Sequence, residues 1–195
     1  MATIGLTGTV GSGKSYALEV LENLGAMALQ ADRVGHRLLA DQEVIEKVVA
    51  LLGTEVLGSD GLLDRSKIGN LVFEDSAKRE MYDELIRPRL LARIREWLDE
   101  NRSPDRVLVV EAALIPEWGI EDWFDEVWCV TCSDKTALSR WSRDKELFWK
   151  IRRAQFAPDR KQQNAERVIE NENSKEDFRD RIEREWRDFR RIQVG

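Results

Sequence analysis

Eight consecutive residues, Gly8-Thr9-Val10-Gly11-Ser12-Gly13-Lys14-Ser15, carry the spacing GxxxxGK[ST], which suits a chain of phosphates. Glycines let the backbone curl until successive N–H groups face one centre, and a helix start behind them adds partial positive charge. Lys14 can then reach the outer phosphates, and the Ser15 hydroxyl can ligate Mg²⁺. At ordinary residue frequencies such a match arises by chance in roughly 1% of chains of this length. The second candidate is Glu111, the acid that closes Arg106-Val107-Leu108-Val109-Val110-Glu111. A carboxylate after an apolar strand is where a Walker-B acid sits and holds the metal. The third is Asp32, just past a second apolar stretch and expected beside the loop on the adjacent strand end. There it could accept a proton from an attacking hydroxyl. As a structural residue, it would instead cap a helix starting at Arg33.

These groups need rigid elements to hold them. Ala2–Thr7 reads as a buried strand before the loop, and Tyr16–Leu24 as a helix after it that stops at Gly25. Further strands are expected at Ala26–Gln30, Arg106–Glu111, Val127–Thr131 and Arg167–Glu170, alternating with helices. That alternation is the mark of an α/β protein with a parallel five-stranded sheet. About 70 residues separate the second strand from the third, too many for a plain loop. Helical spacing over 34–52 with a possible break at Asp41, over 63–73, and over 76–101 with a bend or restart near Pro88, predicts an inserted helical lobe spanning about 34–104. Helices are also expected over Asp134–Asp144 and Lys145–Arg160. A final helix over Lys175–Ile192 has Ser174 as N-cap and an apolar stripe of Phe178, Ile182, Trp186, Phe189 and Ile192.

The chain has 195 residues and a net charge of −6, which argues against an extended nucleic-acid surface. From Arg140 onward there are 16 basic and 12 acidic residues, a local +4 that leaves −10 for the rest of the −6 chain. A basic third of this kind suits an anionic ligand closed over from one side. No apolar run approaches the roughly 20 residues of a membrane span. The N-terminus enters a strand without a signal-peptide pattern, so a cytoplasmic location is expected. Cys129 and Cys132 lie three apart on an expected strand and face opposite sides, which favours two small core residues over a redox or metal pair. His36 reads as structural or solvent-exposed. Of the seven tryptophans, Trp128 and Trp186 read as core, Trp97 as the inner face of the long helix, and Trp141 and Trp149 as packing beneath a lid rather than base-stacking groups.

Asp60-Gly61-Leu62-Leu63-Asp64-Arg65, followed by Ile68-Gly69 and Val72-Phe73, closely resembles the DGxLDRxxLGxxVF stretch of dephospho-coenzyme A kinases. Ile86-Arg87-Pro88 resembles their IHP, and Glu111-Ala112-Ala113-Leu114-Ile115-Pro116-Glu117 their DxPLLFE. Arg140, Arg143-Asp144, Gln155, Lys161 and Val168-Ile169-Glu170-Asn171 fall where the family has its arginines, glutamine, lysine and VIxN. The resemblance spans essentially the whole chain. It implies a single P-loop domain resembling nucleoside kinases, residues 1–195, with a helical lobe for the pantetheine-bearing substrate and a lid over about 140–163. It implies transfer of phosphate from ATP, with Mg²⁺, to the 3′-hydroxyl of dephospho-coenzyme A, in a monomer or weak homo-oligomer needing no nucleic acid or membrane. Under it, Asp32, Lys14, Arg140 and Arg143 are catalytic. Gly8 to Tyr16 and Asn171 bind the nucleotide, Asp32, Asp64, Arg65, Leu114 and Glu117 bind the substrate, and Ser15 and Glu111 bind the metal. The chain departs from the family pattern at Gln30, Arg87, Ala113, Ala137 and Asn173, and Arg140 and Arg143 stand one residue closer together. Two other readings are a related kinase acting on another nucleotide or small hydroxyl substrate, and a non-catalytic nucleotide-binding descendant.

Overall fold

The computed structural model describes residues 2–194. Its elements run β1 (Ala2–Gly8), α1 (Lys14–Asn23), β2 (Met27–Gln30), α2 (Ala31–Leu38), α3 (Gln42–Leu52), α4 (Arg65–Glu74), α5 (Ser76–Asn101), β3 (Val107–Glu111), α6 (Ile115–Trp118), β4 (Glu126–Thr131), α7 (Asp134–Ser139), α8 (Lys145–Ala154), α9 (Pro158–Gln163), β5 (Arg167–Glu170) and α10 (Lys175–Val194). Two compact units result: residues up to 30 together with those from 101 onward, and residues 31–100.

The first unit is an all-parallel sheet in the order β2-β3-β1-β4-β5. β1 and β3 are buried along their whole length, as strands covered on both faces must be. The two buried threonines of β1 are satisfied: Thr3 Oγ1 donates to Asp125 Oδ2 at 2.9 Å and Thr7 Oγ1 to Ala113 O at 3.2 Å. Ile4 and Leu6 share a core with Leu18 and Leu21 of α1 and with Phe178, Ile182, Trp186 and Phe189 of α10. Gly5 points the other way, and a Cβ there would lie 2.7 Å from the Phe124 ring, so the bare backbone is what admits that ring. Ile192, expected in the stripe of α10, is exposed.

β2 was expected to adjoin the strand that carries the loop, but β3 lies between them. The continuous apolar run of β3 needs neighbours and cover on both sides, whereas the four residues of β2, with Met27 exposed, tolerate an edge. Helix ends also differ from expectation. α7 stops at Ser139 because Asp144 caps a new helix, its carboxylate accepting from Glu146 N and Leu147 N. The expected single helix over 145–160 divides into α8 and α9, since Pro158 drives Ala157 into extended backbone. Cys129 and Cys132 are both buried and free, and burial pushes the Cys129 thiol up to about 11.

The second unit is helical. Val44, Ile45, Val48 and Leu52 of α3 pack with Val56, Leu63, Ile68, Val72 and Ile86. α5 runs through Pro88 without restarting, and Arg89 Nη1 donates to Leu85 O at 2.9 Å in the turn beside it. The segment Gly58–Leu63 folds back on itself: Leu57 bridges Leu63, Gly58 N donates to Leu62 O, and Asp60 Oδ1 accepts from Leu62 N. This tight return delivers Asp64 to the start of α4, where Oδ1 accepts from Ser66 N at 2.8 Å and Lys67 N at 3.2 Å.

Candidate active site

β1 ends at Gly8, and the chain turns through Thr9–Gly13 into α1. Two glycines are required here by space as well as by torsion. A Cβ on Gly8 would fall 2.2 Å from Val130 O, and one on Gly13 would fall 2.3 Å from Asn171 Nδ2, with φ at +146° and +103°. The loop is tied from several sides within the first unit. Asn171 Nδ2 donates to Ser12 O at 2.8 Å, and Val10 N donates to Gln155 Oε1 at 2.9 Å. Lys14 Nζ donates to Thr9 O at 3.0 Å, folding back over the loop it closes. The Ser12 hydroxyl is fully buried without a hydrogen-bond partner among the described residues. Ser15 is exposed in the first turn of α1. Tyr16, half-buried beside it, carries Lys175 Nζ 4.3 Å above its ring and packs on Phe178.

Glu111 ends β3 and is buried, in register with Leu6 of β1 on one side and Gln30 of β2 on the other. A carboxylate and a carboxamide thus lie across neighbouring strand ends. Arg140, the residue after α7, donates from Nη1 to Asn171 O at 2.9 Å. Arg143 is exposed, with its guanidinium 5.9 Å from the Trp141 ring. In α8, Phe148 is fully buried and packs with Cys132, Ala137, Val10 and Trp141. Trp141 therefore belongs to the packing of this segment, while Trp149 lies on its surface.

Glu117 was expected to touch substrate, but its visible partners belong to the protein. Both its oxygens accept from Lys161 Nζ, at 2.6 and 2.7 Å, and Oε1 also accepts from Phe156 N at 2.7 Å. Lys161 is fully buried and donates in addition to Ala113 O at 2.6 Å. Burial pulls its ammonium pKa down, and the Glu117 carboxylate opposes that. Leu114, half-buried, stands just before α6.

The remaining candidates lie in the second unit. Asp32 is exposed within the first turn of α2, which begins at Ala31, so it does not cap a helix starting at Arg33. His36 is exposed on the same helix. Asp64 is occupied in capping α4. Arg65 is exposed, and its charge reaches Tyr82, whose hydroxyl burial pushes up to about 12.

The dephospho-CoA kinase family model matches residues 2–177. The chain belongs to that family. It is 33% identical over 198 residues to the dephospho-CoA kinase of Moorella thermoacetica, with 98% of this chain and 93% of that protein covered. Among solved structures it is similar to TT1252 from Thermus thermophilus, at a TM-score of 0.80 and 26% identity over 94% of both chains. It also shares its fold with the dephospho-CoA kinase from Campylobacter jejuni, at a TM-score of 0.71 and 22% identity over 96% of both chains. The fold is that of the P-loop kinases.

In that family setting the donor types suit Mg²⁺. Among the described residues there is no cluster of three or more His, Cys, Asp or Glu that could enclose a metal. Mg²⁺ commonly keeps several waters and takes one or two carboxylates plus phosphate oxygens, for which the Ser15 hydroxyl and the Glu111 carboxylate are fitting types. Gln155 and Lys161, placed by the resemblance without a task, have clear geometric ones. Pairs separated by 145 and 44 residues leave no local trace, so nothing in spacing could have named their partners.

Proposed function

We infer that the chain transfers the terminal phosphoryl group of ATP to the 3′-hydroxyl of dephospho-coenzyme A, giving coenzyme A and ADP, the last step of coenzyme A synthesis. The family match over residues 2–177 carries this reading, laid on a glycine loop whose tight approaches to Val130 and Asn171 preform it. Phosphoryl transfer asks a protein for positioning and charge neutralisation more than for covalent help. Residues Gly8 to Tyr16 hold the nucleotide, with the start of α1 and the loop N–H groups not spent within the protein serving its phosphates, and with Gln155 and Asn171 bracing the loop. Lys14 and Arg140 neutralise charge on the transferring group, and Arg143 assists from the segment over 140–163, which acts as the lid. Ser15 and Glu111 are the residues that would hold Mg²⁺, which when bound would supply charge to screen the phosphate oxygens. Asp32, two residues past the end of β2, takes the proton from the attacking hydroxyl. Residues 34–104 form the lobe that receives the substrate, with Asp64 and Arg65 shaping it, and Leu114 and Glu117 act from the sheet unit. The protein works in the cytoplasm as a monomer or weak homo-oligomer, without nucleic acid or membrane. Among the described residues no helix is long and apolar enough to cross a membrane.

The test is direct: incubate the protein with Mg·ATP and dephospho-coenzyme A, then identify products by mass and by 3′-phosphate-specific hydrolysis. Coenzyme A and ADP in equal amounts are expected. Bound ATP with no product at any Mg²⁺ concentration would favour a non-catalytic descendant, and phosphate on another acceptor would favour a related kinase. Asp32→Asn should lower turnover by about 10²-fold with unchanged thermal stability. Turnover near wild type would remove Asp32 as the base.

A further inference from the structure

The corner between α8 and α9 makes two unusual contacts with adjacent residues. Gln155 closes α8 and accepts from Val10 N of the glycine loop at 2.9 Å, a contact spanning 145 residues of sequence. The next residue, Phe156, donates its backbone N–H to Glu117 Oε1 at 2.7 Å. Glu117 cannot drift, because the fully buried Lys161 donates to both its oxygens and to Ala113 O. Ala113 O also accepts from Thr7 of the central strand at 3.2 Å. The corner is thus fastened on one side to a rigid ion pair seated on the sheet and on the other to the loop that faces the phosphates. A neutral carboxamide is suited to the second contact. It satisfies a backbone donor without setting a negative charge against an incoming triphosphate.

We propose that Gln155 is a positioning residue that couples the lid segment to the phosphate loop through Val10 N–H. It sets the loop for ATP and transmits nucleotide binding to α8 and α9. This rests on the loop being the ATP site, as inferred above. Coupling between two sites is reciprocal. If Gln155 fixes the loop for ATP, then bound ATP must in turn steady the corner. Glu117 and Lys161 supply the fixed support against which that coupling acts, and Gln155 itself touches no reacting atom.

Two variants separate coupling from plain structural support. Gln155→Met keeps length and bulk but offers no comparable acceptor to Val10 N. Gln155→Glu keeps the acceptor and adds charge. The readouts are ATP affinity by calorimetry, kcat and KM for ATP, thermal melting, and amide hydrogen exchange at Val10 and across Phe156–Gln163 with and without ATP. In the wild type, ATP should slow exchange across Phe156–Gln163. In Gln155→Met the Val10 amide should lose protection, ATP affinity should fall about tenfold, as expected for one lost hydrogen bond, and the ATP-induced slowing should vanish. Melting should stay near wild type, and KM for ATP should change more than kcat. Gln155→Glu should restore protection of Val10 in the ATP-free protein while binding ATP weakly. Wild-type ATP affinity and undiminished ATP-induced slowing in Gln155→Met would overturn the coupling. So would a Gln155→Glu protein whose Val10 amide stays unprotected. A wild type that binds no ATP would sink the kinase reading and the coupling with it. Wild-type binding with an indifferent Gln155→Met would sink the coupling alone.

Discussion

At the amino end of the sheet an arginine meets two carboxylates, whereas at the carboxyl end the glycine loop is braced through backbone carbonyls and neutral amides, and the Lys161–Glu117 ion pair fastens the corner between α8 and α9. Arg167, opening β5, donates to Glu126 at 2.6 Å and to Glu185 at 2.8 Å, and Glu126 also accepts from the Trp128 indole at 2.7 Å. The Arg167 and Glu126 side chains are only 14% and 15% exposed. At the other end Arg140 donates to Asn171 O, Lys14 to Thr9 O, Asn171 to Ser12 O and Val10 to Gln155. Charges matched to charges hold a structure but leave nothing for a ligand. Donors resting on backbone carbonyls fix the shape of the glycine loop. One end fastens the sheet, and the other shapes the glycine loop.

Variants can break this contrast, beginning with the largest effect. Lys14→Ala should reduce turnover by on the order of 10³-fold, as loss of a charge that acts in the transition state does, while melting stays near wild type. Unchanged turnover would remove the loop from the reaction. Arg167→Met should do the opposite. Stranding Glu126 and Glu185 at a partly buried site should cost about 3 kcal/mol, lowering the melting temperature by about 10 °C in a chain of this size. Turnover per folded molecule should be preserved, and a turnover defect at full stability would erase the distinction between the ends. Arg140→Lys keeps the charge but loses the planar fork that binds phosphate oxygens in pairs. An approximately tenfold lower kcat is expected, and full activity would show that a point charge suffices there. The smallest effect belongs to Gln30, the carboxamide in register with Glu111. Gln30→Asp should lower the Mg²⁺ concentration for half-maximal rate by up to about tenfold. A wild type already saturated at ordinary Mg²⁺, with no gain in the variant, would show that this position does not serve the metal.

The carboxyl end was more legible in the sequence than the amino end, for physical reasons. The loop is a contiguous motif between a strand and a helix, and unbroken apolar runs announce buried parallel strands such as Val107–Val110. Ser174 was readable as a cap because capping is local, and its hydroxyl accepts from Asp177 N at 3.1 Å. Strand order was not readable: the wrong neighbour was expected for β1 because pairing depends on which strand most needs burial. The division of α8 from α9 had a local cue in Pro158 that charge and aromatic content obscured. Glu117 carried the motif of a substrate contact, yet its geometry is set by Lys161, and Arg167 gave no hint of Glu126 and Glu185. Each of these groups acts through a partner distant in sequence, where neither period nor spacing carries information.

The approach of Gly13 to Asn171 also has a consequence in time. A ribosome makes the glycine-rich stretch first, and the amide that braces it follows 159 residues after Ser12. β5 must be synthesised and paired with β4 before Asn171 can reach the loop. Contacts this far apart along the chain form late, after the loop entropy between them has been overcome. The emerging chain therefore carries its glycine-rich motif through the synthesis of those residues without the amide that braces it, and gains that brace only once β5 has joined the sheet.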